Sequence, residues 1–102
     1  MIGEQYSEER VFTFPISDEE AVRRRPTADP MVVAWLLVTY ARSADEAGWH
    51  VCKLEAQGRR ARRDGSAGST YASAVWYRPP ASELDALPEW MVKLITAYMP
   101  AD

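Results

Sequence analysis

Residues 49–69, WHVCKLEAQGRRARRDGSAGS, are the stretch around which the rest of the chain is predicted to be arranged. Apolar and polar residues alternate between Trp49 and Gly58, which is typical of a half-buried strand. A basic run comes next, and the Asp64-Gly65 pair then indicates a turn. Aromatic and β-branched residues return between Tyr71 and Arg78. Residues 49–78 therefore predict two paired strands with a cationic end.

Length and composition favour one soluble domain. The chain has 102 residues, of which 47% are hydrophobic and 26% are charged, with a net charge of −3. These values exclude wholesale disorder and a generic polyanion-binding protein. The single cysteine, Cys52, rules out an intramolecular disulfide and fits a reducing cytoplasm. We predict a cytoplasmic protein with a flexible N-terminus over residues 1–10 and one α+β domain over residues 11–102.

The N-terminal part of the chain predicts an edge strand and a short helix. Residues 11–16 are rich in β-forming side chains, and Pro15 restricts them to a sheet edge. Ser17 to Glu20 match a capping box, in which Ser17 caps the helix and Glu20 reaches back. Pro26 would end this helix at about Arg25.

Residues 31–42 leave two interpretations open. Asp29 and Pro30 could begin a helix that ends at Gly48. The β-branched residues of the run favour a central strand instead, because no 3.6-residue stripe precedes Val38. Strict alternation in that strand gives two apolar faces: Val33, Trp35 and Leu37 on one, and Val32, Ala34, Leu36 and Val38 on the other. A strand of this kind needs cover on both faces.

The C-terminal residues predict an amphipathic helix. Pro88 and Glu89 suit its first turn, and Met91, Leu94, Ile95 and Tyr98 recur on one face. The predicted fold is therefore α+β: an antiparallel β-meander of three to four strands, with a short N-terminal helix and a C-terminal amphipathic helix packed on the sheet.

No pattern in the sequence predicts catalysis, a metal or a cofactor. His50 and Cys52 lie two residues apart, but no second histidine or cysteine completes a zinc site. Strand alternation points the two side chains side by side rather than toward each other, which disfavours a nucleophilic pair. The paired carboxylates fall in predicted caps, turns and termini, where they have local roles. We therefore expect a protein that is not an enzyme.

The basic run is the first candidate binding site. Its cations are Lys53, Arg59, Arg60, Arg62 and Arg63. Arginine offers paired donors to phosphate, so duplex DNA is one candidate partner, and an acidic protein surface is another. A third interpretation is that these side chains only keep a hairpin tip in water.

Trp35 and Trp90 are the second candidate site. Both lie in predicted elements with more apolar surface than one sheet and two helices can cover. We expect them to contribute to a protein interface, either in a homodimer or with a host or phage protein.

The second half of the chain resembles small uncharacterised proteins of actinobacteria and their phages. The shared residues are Trp49 and Val51, the run from Gly58 to Gly65, Gly68, the stretch from Leu87 to Ile95, and Pro100. This resemblance implies a mobile-element accessory protein. A looser similarity, to the arm-binding domains of phage integrases, implies a basic three-stranded sheet with a helix after it.

These residues and resemblances lead to two predicted functions. The first is a non-enzymatic accessory protein of the phage type that acts by binding a host or regulatory protein. The alternative is a sheet-based DNA-binding protein that uses the basic hairpin.

Overall fold

The computed structural model describes residues 6–17, 21–44 and 48–101, and for residues 6 and 7 it describes the backbone alone. Within these residues the chain forms an antiparallel meander whose four strands lie in sequence order. The strands are β1 (Tyr6–Pro15), β2 (Met31–Ser43), β3 (His50–Ala61) and β4 (Ala67–Tyr77). Two helices come after them, α1 (Ala81–Asp85) and α2 (Glu89–Ala97). The α+β class and the meander are confirmed, and β1 begins before Val11, within the segment predicted to be flexible.

Residues 31–43 form the central strand, which confirms the strand interpretation over the helical one. β2 pairs with β1 on one side and with β3 on the other. Its β-branched residues suit this pleated, half-buried position. The predicted loop after β2 lies partly outside the described residues, at positions 45–47.

A β-bulge changes the predicted faces of β2. Val33 pairs with Gly58 and Trp35 pairs with Gln57, so Ala34 is an extra residue on β2. The extra residue breaks the alternation, and Val33 is buried in the core with Leu36 while Trp35 lies on the opposite face. The prediction that Val33 shares a face with Trp35 is therefore wrong.

The predicted N-terminal helix is not shown. Its described residues, Ser17 and 21–25, are not helical, and residues 18–20 lie outside the described part of the chain. Val22 instead forms an isolated bridge with Met31, with two backbone hydrogen bonds of 2.7 and 2.8 Å. Val22 is buried, and its pairing with the start of β2 replaces the helix predicted over residues 21–25.

Both helices pack on one face of the sheet. Met91 and Ile95 of α2 are buried against Leu36, Leu54 and Trp76, which confirms the predicted amphipathic helix. The Tyr40 hydroxyl donates a buried hydrogen bond of 2.6 Å to the carbonyl of Ile95. Burial raises the pKa of Tyr40 to about 12. The core thus lies between the helices and one side of the sheet.

Candidate functional site

The side of the sheet opposite the helices is a candidate contact surface, and we call it the open face. Strand register places its side chains in three rows across the sheet. The rows are Val11–Thr39–Lys53–Tyr77, Thr13–Leu37–Glu55–Val75 and Pro15–Trp35–Gln57–Ser73. Val32, Arg59 and Tyr71 continue the open face toward the β3–β4 turn. Alternation explains the set, since the neighbours of these residues point into the core.

Large apolar side chains remain accessible on the open face. The exposed fractions are 60% for Val11, 47% for Trp35, 65% for Tyr71 and 72% for Tyr77. Leu37 and Val75 are half-buried between them. Amphipathic aromatic residues in such number on one surface are typical of protein interfaces.

A polar stripe formed by β3 separates the apolar flanks of the open face. Lys53 Nζ lies 3.5 Å from Glu55 Oε1 and 5.6 Å from the ring centre of Tyr77. Gln57 donates to the other oxygen of Glu55 at 2.5 Å. Arg59 donates to the carbonyl of Ser69 at 2.9 Å. The stripe therefore presents ordered donors and acceptors rather than loosely solvated charges.

The basic run does not form one patch. Lys53 and Arg59 lie on the open face. Arg60 instead forms an ion pair with Asp29 of the loop before β2, with 2.7 Å between a guanidinium nitrogen and Asp29 Oδ2. Arg62 and Arg63 are exposed around the β3–β4 turn. A bulge between Arg59 and Ala61 adds to this division. Cations that are neighbours in the sequence thus lie on different surfaces.

The β3–β4 turn is held by local hydrogen bonds. The Ser66 hydroxyl donates to Asp64 Oδ1 at 2.6 Å, and the Ser66 backbone N–H donates to the same oxygen at 3.0 Å. The hydroxyl bond, the backbone bond and the nearby Arg62 charge together lower the pKa of Asp64. Gly65 has a φ of 89°, which favours glycine. The turn therefore presents Arg62 and Arg63 on a defined backbone.

The structure does not bring the two predicted interface tryptophans together. Trp35 lies on the open face, and Trp90 packs against the core on the helical side. The indole nitrogens of Trp90 and Trp49 are buried, and neither has a hydrogen-bond partner within the described part of the chain. Arg10 and Arg42 stack on Trp49, with ring-centre distances of 5.0 and 5.3 Å.

A cleft of about 470 Å³ lies between the sheet and the helices. Its wall is mainly apolar, and its polar members are His50, Arg78, Asp85 and Thr96. Arg78 has a φ of 45°, in the left-handed region that is uncommon for arginine. Nothing in the sequence pattern indicates this cleft, because its wall comes from three separate segments.

Sequence reasoning also missed a second arginine cluster at residues 23–25. Arg24 donates to the carbonyl of Val75 at 3.0 Å and to Glu83 at 2.9 Å, and it stacks on Trp76 at 4.9 Å. Three consecutive arginines precede Pro26 in the sequence, but a predicted helix that ends there gives them only a local role, since cations near a helix C-terminus favour its dipole. Their tertiary role depends on strands that lie far away in the sequence.

The described residues contain neither a metal-binding cluster nor a membrane-spanning helix. No group of three or more His, Cys, Asp or Glu residues in ranges 6–17, 21–44 and 48–101 could hold a metal ion. Among the same residues, no helix is long and apolar enough to cross a membrane.

No protein-family model, curated protein or solved structure matches the chain.

Proposed function

We propose that the chain is a non-enzymatic protein-binding domain, an accessory protein of the phage type, and that the open face is its contact surface. One observation carries the proposal: exposed Val11, Trp35, Tyr71 and Tyr77 share the side of the sheet that the helices leave uncovered. Protein contact removes this apolar area from water. The domain would then act by covering a functional surface of a host or regulatory protein.

A second copy of the chain is one partner that the open face fits. Two sheet faces pack about 10 Å apart when their side chains interdigitate. In a two-fold dimer the same patch serves both subunits. Lys53 and Glu55 lie next to each other in the central stripe, so each could pair with its opposite on the second copy. The apolar flanks would surround these pairs.

A pair of matched variants tests the proposal. Trp35→Glu places a charge on the open face, and Met99→Glu places one on an exposed apolar residue of the helical side; the two wild-type side chains are 47% and 37% exposed. Light scattering measures self-association, and affinity capture from an actinobacterial lysate measures binding of other proteins. We expect Trp35→Glu to weaken whichever contact exists by about 30-fold, as for a central aromatic anchor. Met99→Glu should leave it unchanged.

Two results contradict the protein-contact proposal. One is a monomer that captures nothing above background. The other is equal loss of binding in both variants, which would indicate a general effect of charge. Denaturant midpoints of both variants show whether they remain folded.

Nucleic-acid binding is the second candidate function, and the exposure of Arg59, Arg60, Arg62 and Arg63 favours it. Titration of fluorescent duplex DNA at low and moderate salt, with all four arginines changed to Ala, tests the hairpin directly. Loss of salt-dependent binding in the variant supports this function. Equal binding by the variant, or none by the wild type, eliminates the hairpin as a duplex-binding element.

A further inference from the structure

Residues 23–30 form a loop that presents three arginines beside the edge of the sheet, and we call it the arginine loop. The bridge between Val22 and Met31 closes its base. Within the loop, Ala28 N–H donates to the carbonyl of Arg25 at 2.9 Å, and Arg23 donates to the carbonyl of Ala28 at 2.6 Å. These bonds fix the backbone that carries the arginines.

Contacts with three other elements hold the arginine loop in place. Ala61 N–H of β3 donates to the Pro30 carbonyl at 2.9 Å, and Arg60 pairs with Asp29 at 2.7 Å. Arg24 joins β4 to α1 through Val75 and Glu83. The loop and the β3–β4 hairpin are therefore parts of one surface.

Three depressions succeed one another along this surface. Their volumes are about 470, 280 and 220 Å³. Arg24 lines the first and the second, and Arg60 lines the second and the third. Because neighbouring depressions share an arginine, we treat the three as one surface from α1 along β4 to the hairpin and call it the arginine groove.

The arginine groove is strongly cationic in a chain whose net charge is −3. Among the residues that the structure describes, five arginines and two carboxylates line it, an excess of three positive charges. The arginines are Arg23, Arg24, Arg25, Arg60 and Arg62. The carboxylates, Asp29 and Glu83, are each paired with one of them. Ser69, Thr70 and Ser73 add hydroxyl groups along its length.

We propose that the arginine groove binds the phosphate backbone of a single-stranded nucleic acid. Guanidinium groups form paired hydrogen bonds with phosphate oxygens, and a cationic groove that tracks the backbone is the common basis of single-strand binding. Tyr71 lines the middle depression and is exposed, so its ring can stack on a base. The groove shares Tyr71 and Ser73 with the open face, but none of its five arginines belongs to the open face.

Two features favour a single strand over other polyanions. An acidic peptide that joined β4 as an extra strand would need the edge carbonyl of Val75, which already accepts a hydrogen bond from Arg24. Duplex DNA is stiff and carries its phosphates on a convex surface, whereas a flexible single strand can lie along a concave groove.

Fluorescence anisotropy with labelled oligo(dT) and oligo(U) of about 12 nucleotides tests the proposal on the full chain. Parallel titrations use a duplex of the same length and oligoglutamate. If three phosphates are neutralised, the affinity for a single strand should fall roughly 20-fold between 50 and 200 mM salt, a slope of about −2 in log–log form. The double variant Arg25→Gln/Arg62→Gln removes two exposed groove charges. It should weaken binding at least tenfold and reduce the slope to about −0.7.

A control variant that loses the same number of positive charges distinguishes binding in the arginine groove from a general effect of net charge. Arg63→Gln/Lys93→Gln also removes two exposed cations, neither of which lines the groove. We expect this control to bind like the wild type, and Trp35→Glu to bind normally even if protein contact is lost. Equal weakening by the control, tighter binding of the duplex or of oligoglutamate, or no binding of either oligonucleotide at 50 mM salt overturns the proposal.

Discussion

Among glycine-to-alanine substitutions in the sheet, Gly58→Ala is expected to reduce stability the most. Gly58 lies on β3 opposite Val33 and Ala72 and is buried. A Cβ atom there would lie 1.9 Å from the carbonyl oxygen of Val32 and 3.0 Å from the backbone nitrogen of Ala34. The neighbouring atoms are backbone, so no side chain can rotate to make room. Gly58 thus permits the bulge that turns Trp35 onto the open face.

The magnitude of the effect depends on this geometry. The contact with the Val32 oxygen must lengthen by roughly 1 Å to reach 3.0 Å, below which such contacts are essentially never seen. Moving β2 and β3 apart at the bulge overpacks the core, which costs about 1–3 kcal/mol, and weakens ladder hydrogen bonds worth about 1 kcal/mol each. We expect a loss of about 3–5 kcal/mol. Total stability is about 5–15 kcal/mol for a chain of this length, so the variant should lose a large fraction of it.

Urea denaturation monitored by tryptophan fluorescence measures this loss. Gly65→Ala is the matched control, because Gly65 has a φ of 89° but a Cβ atom added there would have nothing within 4 Å. Conformational strain alone should cost it about 1 kcal/mol. If Gly58→Ala is no more destabilising than Gly65→Ala, the close approach of β3 to the bulge is refuted, together with the orientation of Trp35 that depends on it.

Three further predictions concern the core and the turn. Burial raises the pKa of Tyr40 to about 12. As the pH rises above ~10, the unfolded chain therefore loses this proton before the folded chain does. The stabilising effect is fully present below pH ~10, and the free energy of unfolding should fall by about 1.4 kcal/mol per pH unit between ~10 and ~12. Tyr40→Phe should abolish this alkaline loss in urea titrations and cost about 1 kcal/mol at neutral pH, since Ile95 loses its donor; an unchanged alkaline slope would contradict the assignment. Ser66→Ala removes the hydroxyl bond but keeps the backbone bond, so it should raise the lowered pKa of Asp64 part of the way toward its ordinary value in an NMR titration; an unmoved pKa would show that the Ser66 hydroxyl is not its main cause. Met91→Ala should cost about 2–5 kcal/mol in chemical denaturation because Met91 is fully buried, and a loss below about 1 kcal/mol would contradict the packing of α2.

Local sequence patterns predicted the elements in which tertiary packing favours the same secondary structure as the local sequence. The β-branched run from Met31 predicted β2 because its apolar residues lacked a helical stripe, and the repeat of Met91 and Ile95 predicted α2 because that stripe was present. In both elements, tertiary packing uses the same residues that the pattern identified.

Other features depend on distant parts of the chain. The pattern at Ser17 to Glu20 predicted a helix, but Val22 pairs with Met31 instead. The bulge at Ala34 needs a glycine at residue 58 on another strand, so alternation alone misplaced Val33. Such effects are long-range and leave little local signal.

The candidate surfaces were predicted only in part. Trp35 was predicted to contribute to a protein interface, because its strand has more apolar surface than the predicted helices can cover. Its side chain is 47% exposed on the open face, and its role in an interface stays a prediction. The run from Arg59 to Arg63 was treated as one surface, although strand geometry divides it. The arginine groove could not be predicted, since Arg24 and Arg60 line one depression only when the arginine loop packs beside β4.

Photo-cross-linking tests most directly the central claim that the open face contacts protein. A photoreactive amino acid is placed at residue 35 in one sample and at residue 99 in another, and each is irradiated alone and in an actinobacterial lysate. We expect a discrete cross-linked protein product from residue 35, either the dimer or one host protein, and none from residue 99. The same products from both positions, or none from residue 35, would contradict the account.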